Sequence, residues 1–103
     1  MLDLPTLATG DRVQHELLVR ERADRSTKDG KPFVVMTLGN STGTIEASPI
    51  WSEKLTWAEG AVPGKVVQVI GTVTSYKNKR QLEISAPLRV LAESAANLEE
   101  FLP

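Results

Sequence analysis

Between Arg12 and Arg22 the chain places Val13, His15, Leu17 and Val19 at alternating positions, the period of a strand with one buried face. The run follows a Gly10-Asp11 turn and is long for one strand, which predicts a bent first strand. Ala23 to Lys31 is polar and carries Asp29-Gly30, the signature of a hairpin loop, with Arg25, Lys28 and Lys31 as its cations. Phe33 to Leu38 is apolar apart from Thr37 and predicts a second strand. Gly39 to Gly43 reads as a turn, and Thr44 to Ser48 alternates as a half-buried third strand must, up to Pro49. Ser52 is placed to cap a short helical turn through Ala58, stopped by Gly60 and Pro63. Lys65 to Tyr76 is rich in valine and threonine and predicts a fourth strand, whose interior Gly71 marks a bulge or tight bend. Lys77-Asn78-Lys79 turns into a fifth strand from Arg80 to Leu91. The expected fold is therefore all-β: a five-stranded Greek-key barrel, which removes open sheet edges, with one short helix between the third and fourth strands. Residues 1–11 read as an N-terminal extension, 12–91 as the domain, and 92–103 as an acidic tail of helical composition.

Composition narrows the chemistry. The 103 residues suffice for one core, and the absence of cysteine excludes a disulfide framework, a thiolate metal site and a cysteine nucleophile. His15 is the single histidine, so no zinc constellation or Ser-His-Asp set is expected, and no phosphate-cradling glycine motif occurs. No catalytic residue, metal or cofactor is expected. With no apolar stretch of membrane-spanning length and no basic, apolar leader, the expectation is a cytoplasmic protein with no membrane partner. The net charge of −1 speaks against a polyanionic partner until its distribution is considered. All twelve Lys and Arg lie between Arg12 and Arg89 together with eight acids, a balance of +4 over that segment, while the remaining acids sit at the ends.

Gly30 to Leu38, Thr42 to Ala47 and Trp51, followed by Val69-Ile70-Gly71-Thr72-Val73 and Tyr76 to Leu82, resemble the OB-fold domain that precedes the catalytic domain in YhaM-type exoribonucleases, within the wider group of anticodon-binding-like OB domains. The likeness runs from about Gly10 to Leu91. This chain has Asn40 where that family often has an acid, Pro49 stands as an insertion before the tryptophan, and the metal-binding His-Asp catalytic domain has no counterpart. The resemblance implies an OB barrel that binds single-stranded RNA or DNA with little sequence preference and without catalysis. It leaves room for two other roles: a protein-interaction or assembly module, and an accessory subunit of a separate nuclease.

In OB domains the outer face of the second and third strands carries the bases. If Val34, Met36 and Leu38 fill the barrel, alternation turns Phe33, Val35 and Thr37 to that face beside Thr44, Glu46 and Ser48. Phe33 is then a stacking platform, and Glu46 an acceptor for a base amino group. Trp51 is a further aromatic candidate, although a tryptophan at this place commonly caps a barrel; Trp57 reads as core. Arg20, Arg22, Arg25, Lys28 and Lys31 form one basic segment, and Tyr76, Lys77, Lys79 and Arg80 join an aromatic ring to cations at the last hairpin, on what the fold is expected to make the same side.

Overall fold

The structure is a computed structural model that describes residues 3–91; the acidic tail expected at 92–103 lies outside the described residues. Strands β1 (Arg12–Ser26), β2 (Pro32–Asn40), β3 (Gly43–Ala47), β4 (Val66–Tyr76), β5 (Lys79–Ile84) and β6 (Arg89–Val90) form one sheet in the order β1-β2-β3-β5-β4-β6. Pairing of β1 with β4 closes the first five into a barrel, and β6 adds two residues alongside β4. All neighbours are antiparallel except β3 and β5, which run parallel. A 3-10 segment, Ser52–Ala58, links β3 to β4.

Alternation fills the barrel as expected. Val13, Leu17 and Val19 of β1, Val34, Met36 and Leu38 of β2, Ile45 and Ala47 of β3, Val67, Val69 and Val73 of β4 and Leu82 of β5 form one buried cluster. Removing such side chains from water at about 25 cal/mol per Å² is the main favourable term for the fold. One core residue comes from outside the strands: Leu4, in the turn Leu4–Thr6, is fully buried. Its amide donates to Thr42 Oγ1 at 3.0 Å, and the buried Asn40 accepts through Oδ1 from the amide and hydroxyl of Thr42. The β2–β3 turn thus holds the N-terminal segment against the barrel.

Four details differ from the sequence reading. First, β1 runs on to Ser26, so the first four of the nine residues of the expected loop are strand, paired through Ala23↔Val35, Arg25↔Phe33 and Ser26↔Pro32. A polar sequence can do this where both faces of a hairpin are solvated. The turn shrinks to Thr27–Lys31, closed by Thr27 N to Lys31 O at 2.9 Å, with Gly30 at φ +80°. Second, the expected fifth strand stops at Ile84 and resumes only as β6, because Pro87 has no N–H to give a ladder. Third, the helical link is a 3-10 segment interrupted at Lys54 (φ −125°, ψ 18°), and no side chain caps its start. Fourth, Gly71 is required by a close approach: a Cβ there would collide with the Glu83 carbonyl of β5.

Candidate functional site

Residues directly opposite each other on neighbouring strands point to the same face, so the register lays out the barrel's outer surface in rows. One row is Arg25 and Phe33, extended by an isolated bridge, Val34↔Ile50, that brings Trp51 alongside. The Phe33 and Trp51 rings meet with centroids 5.0 Å apart at an interplanar angle of 38°, and Trp51 is 49% exposed. Trp51 therefore packs on the outside of the barrel, not in its core. The next row is Ala23 and Val35, and beyond it come Glu21, Thr37, Glu46 and Gln81 across four strands. A shallow groove runs over these last two rows, lined by Ala23, Val35, Thr37, Glu46 and Gln81 and reaching Arg25 and Pro49 beside the aromatic pair. Thr44 lines a second recess with Glu46, Lys79 and Arg80, and Ser48 Oγ donates to Gln81 Oε1 at 3.4 Å.

Cations bracket this face. Lys28 and Lys31 lie in the turn at one end, next to Arg25, and Lys77 and Lys79 lie at the β4–β5 hairpin. Because β3 is antiparallel to β2 and parallel to β5, the two hairpin tips extend from opposite ends of the shared face. The expectation that they share a side gives way to an arrangement in which they flank the groove. All five side chains are exposed, and none is in a salt bridge among the described residues.

Three arginines from the sequence reading have structural partners instead. Arg22 donates through Nη1 to the carbonyls of Ala58 (2.7 Å) and Ala61 (3.1 Å) and through Nε to Asp24 at 3.0 Å, tying the 3-10 segment to β1. Arg80 donates to the carbonyls of Leu4 (2.9 Å) and Leu7 (2.6 Å), which clamps the N-terminal turn. Arg20 donates to Asn40 O at 3.1 Å and packs on Gly39, where a Cβ would sit 2.5 Å from its Nε. Tyr76 is 59% exposed, with Lys77 Nζ 5.4 Å from its ring centroid across a two-residue turn in which Lys77 and Asn78 both have positive φ. His15 is half-buried in the barrel wall, its Nδ1 3.0 Å from Glu16 O. Sequence reasoning missed Glu21 and Gln81, whose place beside Thr37 and Glu46 depends on strand register. Trp57, read from the sequence as core, is only half-buried, and Lys54, which the sequence reading did not single out, holds its Nζ 4.7 Å over the indole ring.

No family model matches the chain. In sequence it is similar to the 3'-5' exoribonuclease YhaM of Bacillus subtilis, 29% identical over 93 residues, and to that of Oceanobacillus iheyensis, 32% identical over 75 residues. These matches cover 90% and 73% of this chain but only 29% and 23% of the relatives, so the chain spans less than a third of the curated proteins it resembles. In structure it is similar to the protein PriB from Ralstonia solanacearum, with a TM-score of 0.57 and 24% identity over 82% of this chain and 100% of that one. The second OB-fold domain of replication protein A from Methanococcus maripaludis gives a TM-score of 0.50 at 19% identity, covering 82% of this chain and 85% of that one. With its closed five-stranded barrel, the chain is an OB-fold domain whose sequence resembles one segment of the YhaM exoribonucleases.

Proposed function

We propose that this chain is a non-catalytic module that binds single-stranded nucleic acid across the outer face of β2 and β3. The observation that carries the reading is the Phe33–Trp51 pair, two aromatic rings in contact on an exposed sheet face where an apolar surface otherwise has no reason to be solvated. Every base has a π-face, so stacking there tolerates any sequence and contributes about 1–3 kcal/mol per base. Arg25, Lys28 and Lys31 at one end and Lys77 and Lys79 at the other attract the phosphates. Val35 and Thr37 line the groove, and Glu21, Glu46 and Gln81 keep phosphates off the centre while offering acceptors to base amino groups.

The similarity to exoribonucleases supports RNA as a ligand, with the chain supplying a binding surface while hydrolysis belongs to another domain or chain. A fluorescence titration with oligo-rU, oligo-dT and a duplex of equal length tests the reading. Single strands bind and the duplex binds far more weakly, because its bases are unavailable for stacking. Equal binding of duplex and single strands would show that charge alone is being read. No binding to any of the three, at low salt, would favour the alternative of a protein-interaction module.

A further inference from the structure

Beside the groove, past Trp51, the barrel carries a third recess lined by Trp51, Trp57, Lys54, Pro49, Glu83 and Ile84. We infer that it is a second base pocket: a strand lying on Phe33 and Trp51 turns past Trp51 and seats a further base against Trp57, with Lys54 taking the adjoining phosphate. The inference rests on the groove reading and extends it to residues outside that groove.

The geometry supports it in three ways. Pro49 lines both the groove and the recess, and Trp51, whose ring meets Phe33, forms a wall of the recess, so the recess adjoins both the groove and the aromatic pair. The break in the 3-10 segment at Lys54 carries this ammonium to 4.7 Å from the Trp57 ring, an arrangement of cation and aromatic face that fits one nucleotide. A phosphate drawing Lys54 away uncovers the indole for stacking. Finally, Trp57 is held from behind: its carbonyl accepts from Leu88 N at 3.0 Å, and Ala58 and Ala61 are anchored by Arg22, so the ring stands on a fixed backbone. Glu83, which also lines the recess, repels a phosphate and so leaves Lys54 as its contact. A nucleotide matches the lining twice, with a base for the indole and a phosphate for Lys54, whereas an apolar side chain from a protein uses only the first, which is why a nucleotide is the fitting occupant.

The chain has two tryptophans, which makes each site its own reporter. Trp57→Phe leaves Trp51 as the sole indole, and Trp51→Phe leaves Trp57. Both variants are titrated with oligo-rU of increasing length across the roughly 4–16 nucleotides that one OB fold occupies. The expected result is that Trp51 fluorescence responds to the shortest strands that bind, whereas Trp57 responds only to longer ones. Lys54→Ala, a change at an exposed side chain, then lowers the log–log salt slope by about 0.7 for the longer strands and leaves the shorter ones unchanged. A response from Trp51 with silence from Trp57 at every length overturns the second pocket and leaves the groove standing. Silence from both overturns the groove as well. A Lys54→Ala effect that is the same at all lengths also overturns the pocket, since it assigns Lys54 to the groove.

Discussion

The β1–β2 and β4–β5 hairpins have nearly the same ingredients, an aromatic residue and three cations each, and the structure puts them to different uses. At the first, Phe33 meets Trp51 from a separate segment, and Arg25, Lys28 and Lys31 stand exposed around the pair. At the second, Tyr76 has its neighbour Lys77 over its ring, and Arg80 is occupied with the carbonyls of Leu4 and Leu7, leaving Lys79. A stacking platform that is open before a strand arrives needs an aromatic face that something else supports and nothing covers, unlike Trp57, from which Lys54 must first be drawn. Only the first hairpin meets that condition, and what distinguishes the two is which atoms are already engaged, not which residues are present.

The sharpest way to break this contrast is Phe33→Ala, expected to remove about 1–3 kcal/mol of single-strand affinity, roughly 5- to 150-fold, with little change in salt slope. Thermal melting of the variant is the control, since a loss of 3–5 kcal/mol in stability would mark a core aromatic instead. Arg80→Ala should act on the fold: losing two charge-assisted hydrogen bonds to the N-terminal turn is expected to cost about 1–2 kcal/mol of stability in denaturant titration, with a minor loss of affinity. If instead affinity fell sharply at unchanged stability, Arg80 would be a phosphate contact and the two hairpins would be alike. Tyr76→Ala should weaken binding by no more than about 0.5–1 kcal/mol, measured by the same titration, because Lys77 already covers the ring. The smallest effect is Lys79→Ala or Lys28→Ala. Each should reduce the log–log salt slope by about 0.7, from a total near −3 if four cations are engaged, as read by titration at several ionic strengths.

Alternation made the barrel legible. Val34, Met36 and Leu38 face inward and Phe33, Val35 and Thr37 outward because a pleated strand permits no other assignment once one face is apolar. The fold's closing features were less accessible. Nothing in Leu4 distinguishes it from a solvated N-terminal leucine until Thr42 and Asn40 are brought beside it. The extension of β1 to Ser26 is written in its partners Pro32 to Val35 more than in its own polar residues.

The site was legible where it depended on strand faces and obscure where it depended on tertiary hydrogen bonds. Arg22, Arg25 and Arg80 are indistinguishable as letters, yet two of them hold main-chain carbonyls that arrive from 36 and more positions away. Trp51 could not be assigned because Pro49 shifts the phase after β3, and the bridge Val34↔Ile50 is what restores it. Glu21 joins Glu46 only through the register irregularity between Val19 and Glu21, which no periodicity reveals.

The central claim is a location: a single strand lies on the outer face of β2 and β3. Amide chemical shifts of the isotopically labelled 103-residue chain, followed during titration with oligo-rU at low salt, test it most directly. The expected result is that Phe33, Val35, Thr37, Glu46 and Trp51 shift first and furthest, with Lys28, Lys31 and Lys79 following, while the β1–β4 wall around His15 and Val69 stays fixed. Shifts concentrated on that wall, with Phe33 and Trp51 unmoved, would contradict the account.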